Sequence, residues 1–355
     1  MSYYLFPKNY NKCNISPLFK LDKVSIYTSY STYNYYNKSI KQLINICLFE
    51  NNNTYDTISK NFNTYEYIGS TIPDINLSVS KLNQPSYIFY DFLELSSILN
   101  IFENFNNSIK SLIISPNFLS IIDSIKSIKQ NINIQNYGFL NINNSKLLTN
   151  IDDKFNLIFC ELDNDTYKNN NTYIFGLINI LLLILKYQHK NGTSIIKIYN
   201  VYHKPIIDIL YILSFIFEKV YVIKPNTSNI FSCDKYLVCK QFISDKYTII
   251  YNKLNEITEN NCDKNIHSLI SSDIPYYFIN KIDDMNIIIC KQQIELIHQI
   301  INILKNKNKT DKLNILKNNN IQKCIFWCEK HNIPYNDYFE KLNAFVSAKQ
   351  YNKIK

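Results

Sequence analysis

Between residues 109 and 242, short apolar strands alternate with apolar helices, and this alternation constrains the fold more than any other feature of the sequence. It predicts strands over 109–116, 132–140, 154–162, 193–199, 219–225 and 235–242. It predicts helices over 118–130, 172–190 and 205–217. Strands that are apolar throughout must be covered on both faces, and strands joined through helices run parallel. The last two strands leave no room for a helix between them, so we expect an antiparallel pair at the end of a mostly parallel sheet.

The sequence on either side of this alternation has a different character. Residues 1–70 are rich in Tyr, Asn and Ser, and we interpret them as an irregular N-terminal leader. Residues 71–245 are predicted to form the α/β domain, and residues 246–355 a helical C-terminal extension. The helix 172–190 is predicted to close at Asn191-Gly192, a common stop signal. Other helices are predicted from apolar residues at helical spacing near 38–50 and over 84–106, 290–304 and 324–331.

Glycine and arginine are the residues whose scarcity limits the possible functions. Only 4 of the 355 residues are glycine, and no two of them lie near each other. This excludes the glycine-rich loops of Walker and dinucleotide-binding sites, which need close backbone approach to a phosphate. The chain carries a formal net charge of +9 and has no arginine, so its basic side chains are lysines and a few histidines. Lysine can bind phosphate, but as a point charge without the planar fork of arginine.

The sequence predicts an intracellular protein that does not span a membrane. Its N-terminus lacks a basic flank followed by an apolar run, and its 9 cysteines are scattered and odd in number. The longest apolar stretch, 173–185, is shorter than a membrane span and is predicted to be a buried helix. Cys324, Cys328 and His331 share one face of a predicted helix. Three residues on one straight helix do not enclose a metal, so we expect an apolar helix face and no metal site.

Residues 192–242 carry the most specific pattern in the chain. A glycine opens a strand that ends in lysine, a helix follows, and then EKVYVIKP, a Thr-Ser pair, an acidic residue and the strand YLVCKQF. This order resembles the C-terminal half of FtsJ-like (RrmJ-type) RNA 2′-O-methyltransferases, above all the mRNA cap 2′-O-methyltransferases of eukaryotes and large DNA viruses. The resemblance implies a Rossmann-like methyltransferase sheet with an antiparallel last strand. It also implies S-adenosylmethionine as cofactor and RNA, in particular capped mRNA, as partner.

The resemblance further implies a catalytic tetrad of two lysines, an aspartate and a glutamate. Its second lysine corresponds to Lys197, at the end of a strand. Its glutamate corresponds to Asp234, and its aspartate to Glu161, with Asp163 as an alternative two residues later. These carboxylates are expected to flank the lysine, whose lowered pKa would let it steer or accept the proton of a ribose hydroxyl.

Two features of the family correspond less closely to this sequence. The first tetrad lysine can fall only at Lys81 or in the helix near Asp91. The glycine-rich cofactor turn corresponds to Ser115, Pro116 and Asn117, and we expect their side chains to crowd the cofactor pocket.

Two functions therefore remain open on the sequence alone. One is a cofactor-dependent RNA (mRNA cap) 2′-O-methyltransferase. The other is a catalytically inactive RNA-binding or scaffolding subunit with the same fold, in a viral mRNA-processing complex. For a viral protein, the expected compartment is the host cytoplasm.

Overall fold

The computed structural model describes residues 2–342 apart from 12, 50–58, 83, 104, 106–107, 130–132, 143–152, 244–246, 260–263 and 306–308. Its strands are β1 Ser2–Phe6, β2 Ile15–Lys20, β3 Ser108–Ile114, β4 Asn133–Phe139, β5 Phe155–Cys160, β6 Gln188–Ile198, β7 Phe217–Lys224, β8 Lys235–Phe242 and β9 Asn265–Ile270. Its α-helices are α1 Tyr30–Phe49, α2 Ile88–Leu99, α3 Phe118–Ile128, α4 Asn170–Tyr187, α5 Lys204–Ile216, α6 Thr248–Glu259, α7 Tyr276–Leu304 and α8 Lys309–Lys330. The elements predicted between 109 and 242 are confirmed. The predicted ends at 50, 106, 130 and 132, and the domain boundary at 245, lie outside the described residues.

The central sheet has seven strands in the order β1-β7-β8-β6-β5-β3-β4. Strands β4, β3, β5 and β6 are mutually parallel, and β8 is antiparallel to both β6 and β7. Five strands therefore share one direction, which confirms the α/β fold with a mostly parallel sheet. The predicted antiparallel pair is β7–β8, but it does not end the sheet. Strand β8 fills the gap between β6 and β7, and β1 forms the edge.

Helices cover both faces of the sheet, as the apolar strands require. One core contains the buried side chains of α4, α5 and α7 against the sheet. A second core contains those of α2 and α3 against the other face. Among the described helices, α4 is the one long and apolar enough to cross a membrane, yet its apolar side chains pack in the first core. It is the buried helix that the sequence predicts.

The end of α4 differs from the prediction. The helix ends at Tyr187, and Asn191-Gly192 belongs to the start of β6. Gln188 directs its side-chain amide to the backbone oxygens of Phe155 and Asn156, at 2.9 and 3.2 Å, which starts the strand early. Glycine is needed at 192 because a Cβ there would lie 2.8 Å from the Asn156 oxygen. The Asn191-Gly192 pair therefore lies near the irregular start of β6 and does not end helix α4.

The interpretation of residues 1–70 as irregular is wrong. Strand β1 pairs with β7, β2 pairs with β9 in a separate two-stranded sheet, and α1 is 20 residues long. These strands are hard to detect because their partners lie more than 200 residues away. The edge strand β1 also leaves Tyr3 and Leu5 exposed, which obscures its alternation.

The region after residue 245 is mostly helical, with β9 as an unpredicted strand. The predicted helix 290–304 is the C-terminal half of α7. Helix α8 buries Cys324, Cys328 and Trp327 against side chains from residues 67–93, which supports the prediction of an apolar face at this position. The division of the chain into leader, domain and extension remains a prediction.

Asp208 joins the two sheets and provides a test of this packing. Its carboxylate in α5 is fully buried and accepts hydrogen bonds from the amide nitrogens of Leu269 and Ile270 in β9, at 2.7 and 3.4 Å. Lys204 pairs with the same carboxylate.

We expect Asp208→Ala to lower the free energy of unfolding by about 1–3 kcal/mol, because a buried amide loses its acceptor. Urea denaturation measures this change. Asp284→Ala, at an exposed position of α7, is the control and should cost less than about 0.5 kcal/mol. Equal losses would contradict the anchoring role of Asp208.

Candidate functional site

Lys197, at the carboxyl end of β6, lies between two carboxylates from the neighbouring strands β5 and β8. Glu161 directly follows β5, and the register of β5 with β6 places Cys160 opposite Ile196. The Lys197 Nζ lies 2.8 Å from Glu161 Oε1 and 3.5 Å from Asp234 Oδ2. Asp234 precedes β8, which starts where β6 ends because the two strands are antiparallel. The structure therefore brings together three of the residues selected from the sequence.

The charge balance around Lys197 keeps its amine protonated. Its side chain is only 19% exposed, and this burial alone would lower its pKa. The carboxylates of Glu161, Asp234 and Asp91 outweigh the burial, so the pKa of Lys197 is raised. The expectation of a lowered pKa is therefore wrong for this arrangement. Lys197 can donate hydrogen bonds and balance negative charge, but it is not poised to accept a proton.

The loop after β3 meets the same carboxylate. Ser115 Oγ donates to Glu161 Oε2 at 2.5 Å, and Asn117 Nδ2 approaches the same oxygen at 3.5 Å. The backbone amide of Asn117 donates to Ser115 Oγ at 3.0 Å, which gives the Ser115-Pro116-Asn117 turn its shape. The predicted cofactor loop is thus adjacent to the Lys197 cluster.

The charges of this loop region fit S-adenosylmethionine. The amino group and sulfonium of that cofactor are cationic, and Glu161 presents a carboxylate at the turn. The cofactor would have to displace the Ser115 hydroxyl from Glu161. Beside this loop, the Phe118 ring lies over Gly138 so closely that a Cβ at 138 would be 2.4 Å from it.

The ion-pair partner of Lys81 is not one of the residues around Lys197. Lys81 forms an ion pair with Asp337, and its side chain is 44% exposed. In α2, the residue whose charge acts on Lys197 is Asp91. A carboxylate therefore stands in the helix that was the other possible location of the first tetrad lysine.

Asp91 is buried and accepts three hydroxyl hydrogen bonds. The donors are Thr227 Oγ1 at 2.6 Å, Ser228 Oγ at 2.8 Å and the Tyr236 hydroxyl at 2.8 Å. Burial raises the pKa of Asp91, and these three hydrogen bonds partly oppose the shift. One turn later, Glu94 accepts from the amide nitrogens of Asn226 and Thr227 at 3.0 and 3.2 Å. The two acids of α2 therefore hold the loop that leads from β7 to Asp234.

The sequence motifs alone do not mark Asp91 and Glu94 as functional. Asp91 and Glu94 are three residues apart in a helix whose residues from 88 to 95 are otherwise apolar or aromatic. Buried carboxylates need dedicated partners, so their position on an apolar face is the signal that could have identified them.

An aromatic cleft adjoins Asp234. A cavity of about 400 Å³ is lined by Asp234, Ser232, Asn164, Lys168, Tyr167 and Tyr199. The rings of Tyr167 and Tyr199 are 5.5 Å apart and inclined by 39°. Aromatic faces of this kind can stack on a nucleobase without selecting its sequence.

The chain is similar in sequence to a viral protein that is itself uncharacterized. No protein-family model matches the sequence. It is 28% identical over 245 residues to the uncharacterized protein R383 of Acanthamoeba polyphaga mimivirus; the match covers 68% of this chain and 65% of that protein, slightly less than two thirds.

Three solved structures are similar at low identity. A protein assigned as a ribosomal RNA methyltransferase of Plasmodium falciparum is 20% identical with a TM-score of 0.34, covering 45% of this chain and 99% of that one. A protein assigned as a class I S-adenosylmethionine-dependent methyltransferase of Listeria monocytogenes is 9% identical with a TM-score of 0.32, covering 49% and 70%. The fibrillarin pre-rRNA processing protein of Methanococcus jannaschii is 12% identical with a TM-score of 0.23, covering 39% and 69%. At these scores, the fold assignment rests on the strand order and directions described above.

Lys224 is a second, partly buried lysine near Asp234, and it gives the site a measurable pH dependence. Its Nζ donates to the backbone oxygens of Asn229, Ser232 and Asp234, at 3.1, 2.6 and 3.1 Å. Burial lowers the pKa of Lys224 from 10.5 to about 8.

Above pH 8 the folded chain releases the proton of the Lys224 ammonium group, while the unfolded chain still holds it. The free energy of unfolding should therefore rise with pH between about 8 and 10, by up to about 1.4 kcal/mol per unit.

Lys224→Met should remove this contribution. Urea denaturation of wild type and variant across this pH range measures the difference between their slopes. Lys219→Met, at an exposed position of β7, is the control and should retain the wild-type slope. Parallel profiles for wild type and Lys224→Met would show that Lys224 remains charged throughout.

Proposed function

We propose that the chain is an S-adenosylmethionine-dependent RNA methyltransferase that acts on a ribose 2′-hydroxyl, with capped mRNA as its substrate. The observation that most supports this proposal is the Lys197 ammonium held between Glu161 and Asp234 at the carboxyl edge of the sheet. Ligands of open parallel sheets bind at this edge. The FtsJ-like resemblance of residues 192–242 points to the same three side chains.

Each of these side chains has a role that its geometry allows. Lys197 donates a hydrogen bond to the acceptor oxygen and holds it in place. Asp234, which is 29% exposed, is the carboxylate nearest the aromatic cleft and accepts the hydroxyl proton. Tyr167 and Tyr199 stack on the base of the target nucleotide. Glu161 keeps Lys197 charged and oriented.

S-adenosylmethionine, when bound, supplies the methyl group from its sulfonium. Ser115, Pro116, Asn117 and Glu161 are the residues that would hold it. The similarity to a mimivirus protein favours a viral origin. For a viral protein, the site of action proposed from the sequence is the host cytoplasm.

A second candidate is a non-catalytic RNA-binding or scaffolding subunit of a viral mRNA-processing complex. Two observations favour it. The Ser115 hydroxyl occupies Glu161 Oε2, and Asp91 is the α2 residue whose charge acts on Lys197. In a methyltransferase, a cofactor-facing carboxylate engaged by Ser115 and a carboxylate in place of the first tetrad lysine would each weaken catalysis more than they would weaken the fold.

Calorimetric titration with S-adenosylmethionine and S-adenosylhomocysteine, followed by methyl transfer to capped RNA, tests the two candidates. For the enzyme we expect micromolar binding of both ligands and transfer that falls at least about 100-fold in Lys197→Ala, because the acceptor oxygen loses its donor. Lys219→Ala is the control and should retain full activity.

Transfer that survives Lys197→Ala would contradict the assigned role of this lysine. If neither ligand binds, while RNA binds with an affinity that falls steeply with salt, the non-catalytic subunit is the correct function. Unchanged melting temperatures of the variants show that the differences are local.

A further inference from the structure

A basic cleft lies at the opposite edge of the sheet from Lys197. It has a volume of about 560 Å³ and is bounded by the start of β6, the end of α4 and the start of α6. Its cationic side chains are Lys154, Lys186 and Lys190, all exposed, with His189 beside them. Lys154 precedes β5 and Glu161 follows it, so the two sites are separated by the length of this strand, roughly 20 Å.

The described lining of this cleft contains no carboxylate. At the Lys197 site, by contrast, the carboxylates of Asp91, Glu161 and Asp234 act on the lysine. A phosphate group is therefore attracted more strongly to the basic cleft than to the carboxyl edge. Helix α6 begins at Thr248 in the cleft wall, and its N-terminal end adds positive potential there.

Aromatic side chains form the other wall. Tyr247 packs against Phe215 and Phe242, with ring centroids 5.9 and 5.8 Å apart, and Tyr251 lies one turn further along the helix. Both tyrosines line the cleft and are half-buried. Their rings are held by packing, so a base can stack on them with little loss of side-chain freedom.

We propose that this cleft binds a phosphate-bearing nucleotide, either free or as a unit of single-stranded RNA. Lys154, Lys186 and Lys190 contact the phosphate, and Tyr247 and Tyr251 contact the base. This combination of lysine charges with aromatic faces is what sequence-tolerant binding of single strands requires. The site is independent of cofactor binding and of Lys197, so it goes beyond the proposed function.

The test uses the full chain and two probes, a short fluorescein-labelled oligouridylate and uridine monophosphate as competitor. The variant Lys154→Gln/Lys186→Gln/Lys190→Gln should bind the oligonucleotide at least about tenfold more weakly. Its plot of log affinity against log salt should be shallower by about 2, since each phosphate contact on a single strand contributes about 0.7. Tyr251→Leu should weaken binding about tenfold without changing this slope.

The control variant Lys23→Gln/Lys126→Gln/Lys264→Gln removes three exposed lysines elsewhere and has the same net charge. It should change the affinity by less than about twofold. If uridine monophosphate displaces the oligonucleotide, and this competition depends on the three cleft lysines, the ligand is a free nucleotide. If the oligonucleotide binds and the monophosphate does not, the ligand is RNA. Equal losses in the two triple variants, or no binding of either probe to wild type, would overturn the proposal. The readout is binding of the two probes without methyl donor, so this result does not depend on the methyltransferase assay.

Discussion

A lysine ammonium that is largely withdrawn from water must be balanced by carboxylates, and the carboxyl edge of the sheet is built around this requirement. Lys197 can stay charged because Glu161 directly follows β5 and Asp234 directly precedes β8. Both carboxylates arrive through strand pairing. The antiparallel insertion of β8 beside β6 is therefore what completes the site, and the hydrogen bonds from the β7–β8 loop to Asp91 hold that insertion in place.

The same balance limits the chemistry. Three carboxylates raise the pKa of Lys197, so it acts as a donor and a counter-charge. An RNA methyltransferase can use such a lysine to hold its acceptor oxygen, and a non-catalytic relative can keep it for stability alone. The lysine cleft at the opposite edge has a different balance, because its described lining has no carboxylate to offset the lysines.

Much of the fold could be predicted because its signals are local. The apolar strands and helices between 109 and 242 are confirmed, and Glu161, Lys197 and Asp234 meet as the resemblance implied. The misses involve distant partners. Strand β1 belongs to the sheet only because β7 offers an edge, and β9 is a strand only because β2 pairs with it. Asp91 and Glu94 are explained only by a loop more than 130 residues further along the chain.

The sequence by itself determined the class of the fold, the direction of most strands and the three side chains at the carboxyl edge. These follow from hydrophobic periodicity and from the order of a short conspicuous segment, which act over a few residues. Only the tertiary structure decided where β8 inserts, which residue of α2 acts on Lys197, and whether that lysine is charged. Those properties depend on burial and on charges brought together from distant positions, and neither is encoded within any one segment.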